Sequence, residues 1–306
     1  MTLGAYSRFT PRVAGIAASV GRSGKRPAFD RRTSENTSDT TSRAVILDSG
    51  LIRARYPSNI RMENRNRPVD NGTDNEMDKP KRVDNSGVRV TQTHFPVETL
   101  GPGRRLGIWL QGCTLACPGC MSRHTWDPLG GYPVPVADLT ELWRQALAAG
   151  ADGLTVSGGE PLDQPAGLAA LLEAAAGART EAGREADLLL YTGYEEAEID
   201  ADPARSAAVG HADVLVTGRF RAAEPTDLVW RGSANQRMVP RTPLGRARYA
   251  AHLDRQATGP RIQVVEGAEG EGDVRLYGVP RRGELAALER GLRGAGIRFT
   301  GASWRS

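Results

Sequence analysis

The sequence predicts an α/β protein built on a parallel sheet, and three observations carry that reading. Between residues 105 and 216, short apolar runs of strand length alternate with segments whose apolar residues recur at helical spacing. One of these runs, Leu106–Leu110, leads directly into a loop that holds Cys113, Cys117 and Cys120, the only cysteines of the chain. Parallel α/β proteins build their sites where the carboxyl ends of strands come together. Within residues 1–87, by contrast, segments such as Arg31–Ser42 and Glu63–Pro68 show no apolar period of 2 or 3.6, so the ordered region is expected to begin near residue 88.

The 306 residues carry 40 basic and 36 acidic side chains, a net charge of +4. Residues 1–87 hold 16 of the basic and 10 of the acidic groups, so they net +6 and the rest nets −2. The basic balance therefore belongs to the N-terminal region and gives no argument for a nucleic-acid surface on the folded part. All three lysines and every asparagine except Asn235 lie before residue 88. Polar, charged sequence of this kind buries too little apolar surface to offset its ordering entropy, so residues 1–87 are expected to be a disordered basic extension. Met77 would serve as initiator for everything downstream. Residues 1–29 have five basic residues and no acid, a transit-peptide-like composition. No run has the length of a membrane span, and a cytoplasmic location is expected.

The folded region, 88–306, reads as follows. Thr91–Leu100 is a lead-in strand ending in the turn former Gly101-Pro-Gly103. Arg105–Leu110 is the first strand of the parallel sheet and delivers the cysteine loop. Leu139, Leu142, Trp143, Ala146 and Leu147 share one helical face, with Asp138 as cap and Gly150 as stop. The second strand is Gly153–Ser157, followed by a helix over about 166–176 with Leu168, Leu171 and Leu172 inward. The third is Asp187–Tyr191, followed by one helix over about 195–209, and the fourth is Asp213–Val216. Such alternation predicts right-handed βαβ units. In the tail, 241–306, Arg261–Gly267 and Asp273–Val279 flank an acidic glycine-rich turn and predict a hairpin. A helix with Leu285, Leu288 and Leu292 follows. The tail either completes the sheet or stands as an appendage.

Three cysteines within eight residues argue against a disulfide framework and for a metal site. Spaced C-x3-C-x2-C, the thiolates can hold three irons of a [4Fe–4S] cube and leave the fourth iron open to a small molecule. His124 keeps a second reading alive, a closed Cys3His zinc site. The strand context of the loop, and a second strand-like run ending Gly158-Gly159-Glu160-Pro161, favour the cluster.

These residues resemble the radical S-adenosylmethionine (SAM) superfamily and, within it, the small activases of glycyl-radical enzymes that serve anaerobic ribonucleotide reductase or pyruvate formate-lyase. Eight segments occur in the family's order: Gly101-Pro-Gly-Arg104, Gln111-Gly-Cys113, Cys117-Pro-Gly-Cys120, Thr125-Trp126, Ser157-Gly-Gly-Glu-Pro-Leu162, Tyr191-Thr-Gly-Tyr194, Asp213–Val216 with Gly218-Arg-Phe220, and Trp230–Gln236. They span about 96–240, under half of the chain.

The resemblance implies a partial (β/α) barrel, with a [4Fe–4S] cluster on Cys113, Cys117 and Cys120. It implies SAM cleaved reductively to a 5′-deoxyadenosyl radical, and a glycyl radical made on a partner enzyme, with anaerobic ribonucleotide reductase expected. A flavodoxin- or ferredoxin-type donor would supply the electron. Gly158, Gly159 and Glu160 would meet the methionine amino group, the glycines allowing close backbone approach; on that reading Gly159→Val blocks SAM and spares the cluster. Tyr191, Thr192 and Gly193 would line the SAM pocket, although Tyr191 reads equally well as core. Trp230–Gln236 would close over the site. Met121 stands where the family carries an aromatic against adenine, and Thr217 where it tends to carry aspartate; these departures touch the pocket and not the cluster. His94, His211 and His252 have no companions at ligand spacing. Two other readings stay open: a radical SAM enzyme acting on a small molecule or peptide, and a non-catalytic metal-binding or electron-transfer module.

Overall fold

The computed structural model describes residues 3–9, 45–47, 50–52, 87–266, 273–294 and 299–300. Within the N-terminal extension these are the strands β1 (Leu3–Phe9), β2 (Val45–Leu47) and β3 (Gly50–Ile52). The expectation of disorder covers residues 1–87 as a whole; these three strands depart from it, and the rest of the extension lies outside the described residues.

The main sheet starts with β4 (Gly87–Val97), β5 (Arg105–Leu110) and the short β6 (Tyr132–Pro135). Helix α1 (Val136–Ala148) leads to β7 (Gly153–Gly158), α2 (Pro165–Glu181) to β8 (Asp187–Tyr191). Two short helices, α3 (Glu196–Asp200) and α4 (Pro203–Ala208), precede β9 (Val214–Thr217) and β10 (Arg237–Pro240). The seven strands lie in the order β10-β9-β8-β7-β5-β4-β6. The inner four, β5, β7, β8 and β9, are parallel, while β4, β6 and β10 run antiparallel to their neighbours. Every residue of the four parallel strands is buried, as both-face coverage of a parallel sheet requires.

Helices α1 and α2 cover one face through Leu139, Trp143, Leu168 and Leu172. The Trp143 indole donates to the Ala175 carbonyl at 3.1 Å and so ties the two helices together. The opposite face carries a second cluster of Leu189, Tyr191, Val214, Val216, Met238 and Tyr249, the last from α5 (Pro243–Tyr249).

The tail forms the predicted hairpin of β11 (Ile262–Glu266) and β12 (Asp273–Gly278), paired from Ile262↔Gly278 to Glu266↔Val274. Its turn lies outside the described residues. The hairpin does not extend the main sheet. It joins a separate sheet, β11-β12-β1-β13, with β13 at Phe299–Thr300. Tyr277 and Val279 pack on Val97, Leu100 and Trp109, and α6 (Glu284–Gly294) follows with Leu285 against Leu276.

Three departures from the sequence reading have local causes. The single helix expected over 195–209 is two, because Pro203 cannot continue a helix and instead starts α4, with Asp202 capping the Ala204 amide at 2.9 Å. Helix α1 begins at Val136 behind Pro135, so Asp138 sits in its first turn and caps nothing. Strands β6 and β10 and helix α5 were not expected. The first two are four-residue edge strands containing prolines, which suit edges and hide the alternation.

Candidate functional site

Strand β5 is fully buried, and on leaving the sheet it opens into the cysteine loop. The base of that loop is sewn shut: Gly112 N–H donates to Thr125 O at 2.8 Å and Cys113 N–H to Trp126 O at 3.1 Å. The Gln111 side chain adds a bond from Nε2 to Asp127 O at 2.7 Å. Between these ends, Cys120 N–H closes a turn on Cys117 O at 3.0 Å. Gly119 there has φ +76°, a conformation glycine adopts without strain. Cys117 and Cys120 are buried and Cys113 is half-buried. Burial pushes the Cys113 thiol up to about 11 and raises Cys120 as well. Thiols held this way ionise when a metal takes the charge.

Cys113 faces the carboxyl ends of the neighbouring strands. It lines one pocket together with Gly158, Gly159 and Glu160 after β7, and with Tyr191, Thr192 and Gly193 after β8. The structure therefore brings together seven residues singled out in the sequence. Ser157, Gly218, Gln236 and Leu115 complete the wall. Ser157 and Gly218 lay in recognised segments without an assigned role, and Gln236 in the segment expected to close over the site. Leu115 carried no signal beyond its place between two cysteines, yet its methyl occupies the space where a Cβ on Gly193 would stand.

Glu160 is held by three hydrogen bonds. Its carboxylate accepts from Leu162 N–H at 2.9 Å, Thr192 Oγ1–H at 2.8 Å and Gly193 N–H at 2.7 Å. It is buried, and desolvation lifts its pKa to about 7 against these three bonds. Glu160 thus clamps the end of β7 to the end of β8. The two preceding glycines are also used by the chain itself. Gly158, at φ +119°, has no room for a Cβ against the Leu110 backbone, and a Cβ on Gly159 would collide with the Gly112 carbonyl. The expectation that Gly159→Val spares the cysteine loop is therefore corrected: the side chain would strike the residue before Cys113.

Other residues lie apart. Met121 is not on the pocket wall but packs against the buried pair Leu276 and Leu285 of the tail. Tyr191 serves both readings, lining the pocket and packing with Tyr249 and Met238. The Trp230–Gln236 segment divides. Gln236 reaches the pocket, holding Gly218 O with Nε2 at 3.0 Å and accepting from Gly232 N–H at 2.7 Å, whereas Trp230 meets Tyr249 edge-on and His252 at a tilt. Thr217 is buried at the end of β9. His124 sits in a 3-10 turn, its imidazole pKa lowered by burial to about 4. Among the described residues no three His, Cys, Asp or Glu side chains converge on one point as a mononuclear metal requires.

Known proteins align with this half of the chain. A family described as a 4Fe-4S single cluster domain matches residues 99–239. The anaerobic ribonucleoside-triphosphate reductase-activating protein of Vibrio cholerae is 36% identical over 155 residues, 47% of this chain and 92% of that protein. The protein of the same name from Pasteurella multocida is 37% identical over 155 residues, again 47% and 92%. That of Enterobacteria phage T4 is 30% identical over 147 residues, 46% of this chain and 87% of the phage protein.

Proposed function

The chain belongs to the anaerobic ribonucleoside-triphosphate reductase-activating proteins, radical SAM enzymes with a [4Fe–4S] cluster, and from that premise we propose that it makes a glycyl radical on an anaerobic ribonucleotide reductase. The observation that carries the proposal is the position of Cys113, on the wall of the pocket formed by Gly158–Glu160 and Tyr191–Gly193.

Cys113, Cys117 and Cys120 would hold the cluster, beside the pocket that Cys113 lines. When bound, the cluster and SAM supply reductive cleavage of the sulfonium and a carbon radical able to take a hydrogen atom from glycine. The chain's own part is to hold and enclose. The sewn loop base fixes Cys113 at the end of β5. The Glu160 clamp fixes the Gly158–Glu160 turn beside it, so that backbone carbonyls there can accept from the methionine ammonium of SAM. Leu115 and Tyr191 give the pocket apolar walls that exclude water. The sheet would be the partial barrel of the superfamily; its end strands β10 and β6 are not paired with each other. No helix among the described residues is long and apolar enough to cross a membrane. We place the protein in the cytoplasm, where a flavodoxin- or ferredoxin-type donor would reduce the cluster.

The test is anaerobic. Reconstituted protein with dithionite and SAM should release 5′-deoxyadenosine and methionine, faster with the reductase present. The reductase should then show a glycyl-radical doublet by electron paramagnetic resonance. A full cluster that neither responds to SAM nor cleaves it would favour an electron-transfer module.

A further inference from the structure

A second cavity, of about 360 Å³, lies at the other end of β5 from the cysteine loop. The two ends are separated by roughly 20 Å of strand. One wall is the Gly101-Pro102-Gly103 turn that leads into β5; the other is built from Trp230, His252, Arg255 and Arg261, with Val279 of the hairpin behind. Four of these residues, His252 to Val279, lie beyond the region 99–239 matched by the cluster family. The cavity is thus shared between the family's core and the part of the chain that is its own addition.

Its chemistry is cationic. Arg261 is buried, anchored by Nη1 to Thr226 O at 2.8 Å and by Nη2 to Arg231 O at 2.6 Å. Its buried Nε has no hydrogen-bond partner among the described residues. Its nearest carboxylate, Asp227, stands at 3.9 Å and is itself held by Arg281 at 2.7 Å. Burial and the nearby Arg281 lower the Arg261 pKa, with Glu284 and Asp227 offsetting them in part, and a buried guanidinium whose pKa is lowered on balance gains from an added anion. Arg255 is exposed and forms no ion pair among the described residues; its Nη1 lies 3.2 Å from His252 Nδ1. Glu98 is the single carboxylate on the wall. Across the cavity, Gly101 and Gly103 have φ +134° and +72°. Their amides have no acceptor among the described residues. Two arginines opposite a glycine turn with unused N–H groups is an oxyanion site in kind, and the half-buried Trp230 adds a flat apolar surface.

We infer that this cavity is a second binding site, distinct from the cysteine pocket, for a small organic phosphate bearing a flat ring, the chemistry of a nucleotide. Phosphate oxygens would be met by Arg255, Arg261 and the Gly101–Gly103 turn, and the ring by Trp230.

The experiment uses the full chain with its cluster, titrated anaerobically with ATP and separately with inorganic phosphate by calorimetry, with and without saturating SAM. ATP is expected to bind more tightly than phosphate, with an affinity that SAM leaves unchanged. Arg255→Ala, at an exposed position, and Arg261→Gln should each weaken ATP binding by about tenfold, as loss of one charge-assisted contact implies. Absence of ATP binding at millimolar concentration, competition by SAM, or an affinity unchanged by Arg255→Ala would each overturn the assignment. Failure here leaves SAM cleavage at the other end of β5 untouched, so the two readings fall separately.

Discussion

Glu160 and Thr192 join the ends of two neighbouring parallel strands: the threonine hydroxyl donates a 2.8 Å hydrogen bond to a carboxylate that has no access to water. The bond fixes the floor of the pocket before any cofactor arrives, and it places an ionisable group where ionisation is expensive.

The pH dependence of the cluster-free protein should show this. The folded-state pKa of Glu160 is raised from 4.5 to about 7, so the folded state favours the protonated acid. Its contribution is fully present below about pH 4.5 and is lost as pH rises to about 7, at a size of roughly 3 kcal/mol. His124 works in the opposite sense. Its pKa falls from 6.5 to about 4 on folding, so its contribution is present above 6.5 and is lost as pH falls towards 4. Chemical denaturation of the wild type should therefore change little across this window. Glu160→Gln should unmask stability that rises with pH, and His124→Phe stability that falls with it. Two parallel wild-type-like curves would refute both assignments.

Alanine at any one of Cys113, Cys117 or Cys120 should abolish the broad absorption near 400 nm and most of the bound iron and sulfide. His124→Ala should keep both. Colourless protein with one zinc, lost on His124→Ala, would restore the zinc reading.

Gly159→Val should cost about 2 kcal/mol or more in stability and also lower iron retention, because the added carbons strike the Gly112 carbonyl beside Cys113. Iron content and thermal unfolding measured on the same sample decide it; intact iron with lost SAM binding would mean that the glycine serves the cofactor alone.

At the amino ends of β5 and β8, Arg105 and Asp187 form a fully buried pair with Nη2–Oδ2 at 2.7 Å and Nη1–Oδ1 at 3.1 Å. Tyr249 adds a bond to Asp187 at 2.7 Å. Asp187→Ala strands a buried guanidinium and should destabilise the protein by about 3–5 kcal/mol by urea denaturation. A loss under 1 kcal/mol would mean that water reaches the pair.

A chain starting at Gly87 should keep the main sheet and its iron, since among the described residues no strand of the extension is hydrogen-bonded into that sheet, although β2 lies against β4. Circular dichroism and iron content would check this, and insolubility would place structural contacts in the extension.

The sequence by itself determined the cysteine loop, the four parallel strands and the turn Gly158–Glu160. Each is local: a run of apolar residues between breakers, or a fixed spacing of thiols, needs no partner to be read. Arg105–Leu110 and Asp187–Tyr191 appear in the structure with the boundaries that pattern assigns. Only the tertiary structure decided how distant segments share space. It set Met121 on the tail and away from the pocket, because Leu276 and Leu285 offered an apolar surface more than 150 residues further along the chain. It turned Gly158 and Gly159 into packing positions against Leu110 and Gly112, and it divided the Trp230–Gln236 segment between two cavities. None of these is written in local composition, since each is fixed by which surfaces the parallel sheet brings within reach.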